Sequence, residues 1–150
     1  MSVPRRTALL AFACCFLAGC SDRPPMAKVR GTVTLDGKPL PFGVVTFEAA
    51  GLRSATAKVV NGELTEVTTF DPNDGVPVGS HRVAVTANAE PGSAVTANPG
   101  DTKRPPPADY MSGKSLIPAA YNDPATSKLT ADIKPGDNLV ELKLFSTGPR

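Results

Sequence analysis

The chain has 150 residues, enough for one domain, and its formal net charge is +2. Charged residues make up 20% of it and aromatic residues 5%, a balance that excludes both a strongly basic nucleic-acid binder and a highly charged disordered chain. One histidine and three cysteines leave little material for a zinc site or for a pair of nucleophile and base. A non-enzymatic role is therefore the first expectation.

The beginning of the chain has the organisation of an export signal. Two arginines precede an apolar run at 7–17 (TALLAFACCFL), which is too short to cross a hydrocarbon core of about 30 Å as a helix. The run leads into LAGC at 17–20, a branched apolar residue, two small residues and a cysteine, in the order of the bacterial lipobox. We predict a signal peptide over 1–19, cleavage between Gly19 and Cys20, and lipid attachment at Cys20.

Two other interpretations of this segment stay open. An ordinary signal peptide with a chance cysteine would leave the protein without an anchor. Arg5 and Arg6 also have the spacing of a twin-arginine export signal, although the neighbouring residues favour general secretion.

Removal of the signal changes both the thiol inventory and the charge. Cys14 and Cys15 would leave with it, and a lipidated Cys20 would leave no thiol for a disulfide, a metal or a nucleophile. Two arginines would also leave, so the 14 remaining basic residues equal the 14 acidic ones. Membrane attachment would then depend on acyl chains, through a short lipidated tether over 20–27. Ser21 carries no acidic retention signal, which favours the outer membrane.

The rest of the chain predicts an all-β fold. After residue 19 it holds 13 Val and 13 Thr against 9 Leu and 2 Ile, a bias towards β-branched residues that suits half-buried strands. Tight hairpins are predicted at Asp36-Gly37 and Asn61-Gly62. We expect a seven-stranded, two-sheet sandwich over 28–146. Apolar and polar residues alternate in six of the seven strand segments, and the fourth is less regular: 28–35, 44–49, 55–59, 64–70, 82–87, 128–133 and 140–144.

The alternation stops over residues 88–114. This stretch has five prolines and no Leu, Ile or Phe, so it lacks the apolar area that would offset the entropy of ordering it. The sequence predicts a mobile insertion between the fifth and sixth strands.

Several of these segments resemble a known family. The opening stretches VRGTV, LDGKPL and VVTF are similar to the first strands and turn of carboxypeptidase regulatory-like domains, which are prealbumin-like (Ig-like) seven-stranded sandwiches. The family shares no common reaction, so the resemblance implies a small accessory or adhesive module. The stretches that carry the likeness are 29–33, 35–40, 44–47, 74–83, 117–130 and 136–139.

Few residues are candidates for a site. Tyr110, inside the predicted insertion, and Tyr121 are the aromatic residues considered for binding, although Tyr121 is favoured to pack over the edge of the sandwich. His81 shares its parity with Val83 and Val85, which favours a place at the edge of the core. The carboxylates and amide at 71–75 (DPNDG) favour a turn over a calcium site, because the EF-hand spacing is missing.

These observations together predict a lipid-anchored, extracytoplasmic β-sandwich that acts as a non-catalytic structural, adhesive or binding component of the cell envelope. The partners expected are the membrane, through the lipid, and an envelope protein or glycan, but not nucleic acid; no cofactor and no metal are expected. The alternative is an accessory module for carbohydrate or peptide. A prealbumin-like hydrolase comes third, because the C-terminal STGPR at 146–150 does not match the tetrapeptide of that enzyme branch.

Overall fold

The computed structural model describes residues 23–88 and 114–150. Within these residues the fold is all-β, as the sequence predicts, and a single turn of 3-10 helix at Ala119–Asn122 accompanies the strands. The strands are β1 (Met26–Leu35), β2 (Lys38–Pro39), β3 (Phe42–Glu48), β4 (Ala55–Val60), β5 (Glu63–Thr68), β6 (Val76–Pro77), β7 (Gly79–Thr86), β8 (Leu129–Ile133) and β9 (Asp137–Leu144). Seven of them coincide with predicted strands, and the two-residue strands β2 and β6 are additional.

The strands form one curled sheet with the order β2-β1-β5-β4-β3-β7-β8. All pairings along this path are antiparallel. Strands β6 and β9 also pair with β1, β9 in parallel over eight residue pairs. The first long strand of the chain is therefore bonded to the last one, and β1 has four strand neighbours.

Both predicted hairpin turns are present, and their backbone explains the residues found there. Asp36 and Gly37 have φ values of 49° and 80°, and Asn61 and Gly62 have φ values of 50° and 83°. Two successive positive φ angles define the tight turn that matches the twist of antiparallel strands, and Asp-Gly and Asn-Gly tolerate it best.

Strand alternation places the core inside the curl. In β1 the side chains of Ala27, Val29 and Val33 are buried, while Lys28 and Arg30 between them are exposed. Strand β5 breaks this rhythm, because Glu66 has a positive φ of 50° and the register to β4 shifts there. That bulge accounts for the irregular sequence pattern of the fourth predicted strand. Large core side chains of the other strands include Val45, Phe47, Val59, Val83, Val85, Ile133, Leu142 and Leu144.

The start of the domain lies earlier than predicted. Met26 and Ala27 were assigned to the tether, but they pair with Pro77 and Val76 and belong to β1. Their partners form a two-residue strand that follows a loop, and no alternation in the sequence marks such a strand. The predicted boundary at residue 27 is therefore too late.

Strand directions define two ends of the sheet. One end is called the N-terminal end here, because β1 begins there. The same end carries three connections between strands, at 49–54, 69–75 and 134–136. Both tight hairpins lie at the opposite end. The chain also leaves the described fold there, after Asn88, and returns at Lys114. A bridge between Asn88 and Ser115 holds these two flanks together, and the predicted insertion itself lies outside the described residues.

The glycine at position 31 leaves no room for a side chain between β1 and β9. Gly31 of β1 is paired with Val140 of β9, and a Cβ atom at position 31 would collide with the carbonyl oxygen of Val140. We expect Gly31→Ala to lower the free energy of unfolding by about 1–3 kcal/mol, because the added methyl group forces the two strands apart. Urea unfolding followed by circular dichroism measures this.

Thr32→Ala is the matched control, since Thr32 is the next residue of β1 and its side chain is exposed. It should change the free energy of unfolding by less than about 1 kcal/mol. Equal losses for the two variants would contradict the close contact between β1 and β9.

Candidate functional site

The residues with the strongest functional signal in the sequence precede the described fold. Gly19 and Cys20, the predicted cleavage and lipid-attachment site, lie outside the described residues, and so does Tyr110. The described chain begins at Arg23, with only Ser21 and Asp22 between it and Cys20. The contacts of residues 23–25 therefore decide how the predicted attachment point relates to the fold.

Arg23 is held against the N-terminal end of the sheet. Its guanidinium donates to the Asp71 carboxylate at 2.6 Å, and its Cζ atom lies 5.3 Å from the centroid of the Phe70 ring. Two residues later, the carbonyl of Pro25 accepts a hydrogen bond of 2.8 Å from the backbone N–H of Val78. The exposed ion pair contributes little on its own, but the ring contact and the backbone bond also fix this segment. The chain joins the fold at Arg23, ahead of β1.

A second arginine reaches the same aromatic ring. Arg53, in the loop between β3 and β4, has its Cζ atom 5.7 Å from the Phe70 centroid. Beside it in that loop, Leu52 exposes 37% of its surface. These four residues, Arg23, Leu52, Arg53 and Phe70, are called the N-terminal patch. Sequence reasoning missed the patch because its members come from three separate segments that share no motif.

The loop that carries Phe70 is organised by a single carboxylate. Asp74 accepts hydrogen bonds from the backbone N–H groups of Thr69, Phe70 and Asp71, at 2.7, 2.9 and 3.0 Å. Gly75 follows with a φ of 99°, a backbone conformation that favours glycine. These bonds explain why the DPNDG stretch forms a turn, the interpretation that the sequence favoured over a calcium loop.

Two opposing effects act on the pKa of Asp74. Burial raises the pKa by penalising the charged form, and the backbone hydrogen bonds from Asp71, Thr69 and Phe70 lower it. The hydrogen bonds prevail, so the pKa of Asp74 lies below its ordinary value. The carboxylate is therefore ionised at neutral pH and already used as an acceptor by the loop.

His81 is buried at the edge of the core, beneath a shallow cleft between the ends of β3 and β7. It is 2% exposed, its Nδ1 atom lies 3.0 Å from the carbonyl oxygen of Gly79, and its ring meets Phe47 edge to face. The Nε2 atom has no hydrogen-bond partner in the described part of the chain. A carbonyl oxygen only accepts hydrogen bonds, so the contact with Gly79 requires a proton on Nδ1. The expected place of His81 at the core edge is confirmed.

Tyr121 is also a packing residue. It is 1% exposed, and its hydroxyl oxygen accepts a hydrogen bond of 3.0 Å from the backbone N–H of Phe145. The 3-10 turn at Ala119–Asn122 directs the ring into the core. The suggestion that Tyr121 is an exposed binding residue is wrong for this structure, and the packing alternative describes it. Its sequence context, AAYNDP, carries no period from which this burial follows.

The described residues bring few other reactive or charged side chains together in one cleft or cluster. A cleft of about 410 Å³ opens between β1 and β5, and two of the three charged side chains along it have partners: Lys28 donates to the carbonyl of Asn73, and Glu66 pairs with Lys58. The third, Arg30, is exposed. Over 23–88 and 114–150, no three His, Cys, Asp or Glu side chains cluster as metal ligands would. In the same residues, no helix has the length and apolar character needed to cross a bilayer.

No protein-family model, no curated protein and no solved structure matches this chain. The likeness to carboxypeptidase regulatory-like domains therefore depends on the sequence motifs alone.

The role of Asp74 can be measured as a function of pH. Asp74→Asn removes the charge from the acceptor of three backbone N–H groups, and we expect it to lower the free energy of unfolding by about 1–3 kcal/mol at pH 7. Because the folded pKa is depressed, the stabilisation by the carboxylate is present above about pH 4 and is lost as pH falls through the folded pKa. The difference between wild type and variant should therefore shrink below about pH 4.

Urea unfolding at pH 7 and at pH 3 tests this, with Asp137→Asn as the control because Asp137 is exposed on β9. A difference between wild type and Asp74→Asn that is the same at both pH values would contradict the role of the ionised carboxylate.

Tyr121→Phe tests the packing role of the tyrosine. Loss of the hydroxyl leaves the N–H of Phe145 without its acceptor, so the free energy of unfolding should fall by about 0.5–1.5 kcal/mol. Chemical denaturation measures the change. Unchanged stability would show that this hydrogen bond does not support the fold.

Proposed function

We propose that this protein is a bacterial lipoprotein, a β-module anchored outside the cytoplasm by lipid on Cys20 and serving as a structural, adhesive or binding component of the cell envelope. One observation carries the proposal: the basic start, apolar run, small pair and cysteine stand in lipobox order, and Arg23, three residues after that cysteine, already contacts Asp71 and Phe70 of the fold. An extended segment of three residues spans about 10 Å, which suits a domain held at a membrane surface.

We further propose that the curled sheet works as the two layers of a prealbumin-like, seven-stranded sandwich. The contact between β1 and β5 supports this division, because a single residue pair, Thr32 with Glu63, joins them. One layer would then contain β1 with β9, and the other would contain β8, β7, β3, β4 and β5. These are the seven strands of five residues or more.

A non-catalytic role is supported by how the candidate groups are used. The chain has one histidine, and its imidazole is enclosed in the core against Phe47. A general base needs contact with its substrate, and a 2% exposed ring does not provide it. The carboxylate of Asp74 is likewise occupied by three backbone N–H groups. These two groups were the principal candidates for chemistry in the described chain.

The alternative function, an accessory module for carbohydrate or peptide, has one observation in its favour. At the opposite end of the sheet, a cleft of about 290 Å³ is lined by Phe42, Thr46, Thr86, Asn88 and Asn122. An aromatic ring together with amide and hydroxyl groups suits a polyhydroxylated ligand better than a charged one. Isothermal titration of the protein with envelope glycans, compared with a Phe42→Ala variant, distinguishes this function from a purely structural one.

The anchor can be tested directly. We expect mass spectrometry of the protein from membranes to find Cys20 as the first residue, with a lipid joined to its sulfur by a thioether. Cys20→Ser should release the protein from the membrane fraction, because one thiol carries the attachment. Cys14→Ser and Cys15→Ser are the matched controls, since both residues precede the predicted cleavage point and should leave attachment unchanged. A mature N-terminus elsewhere, or membrane retention of Cys20→Ser, would contradict the proposal.

A further inference from the structure

We propose that the N-terminal patch is a second membrane contact, which lies on the headgroups of the bilayer that holds the acyl chains of Cys20. The partner is thus a lipid surface, and the contact fixes which end of the domain faces it. This inference rests on the proposed lipidation of Cys20. It adds a specific surface and an orientation, neither of which follows from the presence of an anchor.

The chain between Cys20 and the fold is very short. Ser21 and Asp22 alone separate Cys20 from Arg23, which is already bound to Asp71 and stacked on Phe70. An extended chain advances at most about 3.6 Å per residue, so Arg23 lies within about 11 Å of Cys20. The polar headgroup layer on each side of a bilayer is itself about 5–8 Å thick. A lipid anchor at Cys20 therefore leaves little room for water between the N-terminal patch and the membrane.

The N-terminal patch combines exposed apolar surface with arginine side chains. Leu52 exposes 37% of its surface, and the ring of Phe70 is partly buried beneath two guanidinium groups. Apolar and aromatic side chains flanked by arginines are typical of surfaces at the water–lipid boundary, where the apolar part enters and the charged group stays among the headgroups.

The charge of the patch points the same way. Asp71 neutralises Arg23, whereas Arg53 has no acidic partner among the residues that the structure describes. The loop of Asp71 also holds the ionised Asp74, and Lys28 donates to its Asn73 carbonyl. Three cations, Arg23, Lys28 and Arg53, thus face the two carboxylates of Asp71 and Asp74, and the net positive charge of one favours anionic headgroups over zwitterionic ones.

The sheet is long compared with the connection to Cys20. Strand β1 has ten residues and starts at the N-terminal end, so its far end lies about 30 Å away. Phe42 and Val60, an exposed cross-strand pair, lie at that opposite end. Because the segment from Cys20 to Arg23 spans at most about 11 Å, Phe42 and Val60 contact the membrane only if the domain lies on its side. The two exposed apolar surfaces therefore report on different orientations.

The chain contains no tryptophan, which makes a single introduced tryptophan a clean reporter. Leu52→Trp places it in the N-terminal patch. Phe42→Trp is the matched control, because Phe42 is also 37% exposed but lies at the opposite end. The full chain is produced with its lipid, which is verified by intact mass. It is reconstituted into zwitterionic vesicles of phosphatidylcholine and into anionic vesicles that also contain phosphatidylglycerol, each with or without brominated acyl chains.

We expect brominated lipid to reduce the fluorescence of Leu52→Trp about twofold, with a shift of its emission to shorter wavelength, and to leave Phe42→Trp unaffected. Adding Arg53→Gln to Leu52→Trp should weaken the quenching in anionic vesicles but not in zwitterionic ones. Ala50→Trp, exposed in the same loop, is the second reporter if Leu52→Trp does not keep the circular dichroism spectrum of the wild type.

Two results would overturn the inference while leaving the anchor intact. Lipidated Leu52→Trp that is quenched no more than Phe42→Trp would show that the patch does not touch the bilayer. Equal, strong quenching of both would show that the domain lies on its side. Failure of the anchor gives a different result, since the intact mass would then lack acyl chains and the protein would not enter the vesicles.

Discussion

The pairing of strand β1 along both of its edges holds the sheet together. Along one edge the strand is bonded to β9 over its last eight residues, and along the other it meets β6, β5 and β2 in succession. Substitutions in a strand that is paired on both edges disturb two neighbouring strands. Gly31 is the clearest example, because the carbonyl of Val140 occupies the space that a side chain would need. Both layers of the proposed sandwich are organised around this one segment.

The position of β1 at the start of the fold also determines which element the proposed membrane anchor would act on. The central strand begins at Met26, and the preceding residues are already held by Asp71, Phe70 and Val78. An anchor at Cys20 would therefore act on the most heavily bonded element of the fold through a very short connection. A pull on the lipid would load the contacts of Arg23 with Asp71 and Phe70 first and the backbone ladder of β1 next.

The sequence predicts the local features of this fold well and the non-local ones poorly. Hairpins at Asp36-Gly37 and Asn61-Gly62 follow from residues that tolerate positive φ, and the strands follow from alternation, because both signals lie within a few neighbouring positions. The parallel pairing of β1 with β9 joins residues more than a hundred positions apart and leaves no local period.

The features of the candidate site also separate into local ones, which the sequence predicts, and non-local ones, which it does not. The turn at Asp74 and the burial of His81 follow from turn chemistry and strand parity. The burial of Tyr121 depends on a 3-10 turn and on a backbone donor in a different segment, and the grouping of Arg23 and Arg53 around Phe70 depends on three loops meeting. Contacts of that kind are determined by the fold as a whole, so residue spacing does not predict them.

The pairing of the first long strand with the last has a consequence for the timing of folding. Residues 137–144 complete one whole edge of β1, so the central ladder cannot close until nearly the entire chain has been synthesised. Pairings between such distant segments are also slow to form, because the long loop between them must be closed first. A lipoprotein of the kind proposed above would be exported as an unfolded chain and would benefit from that delay. Its sheet order would keep the chain open until its C-terminal strand is available, so that the native fold would be completed only on the far side of the membrane.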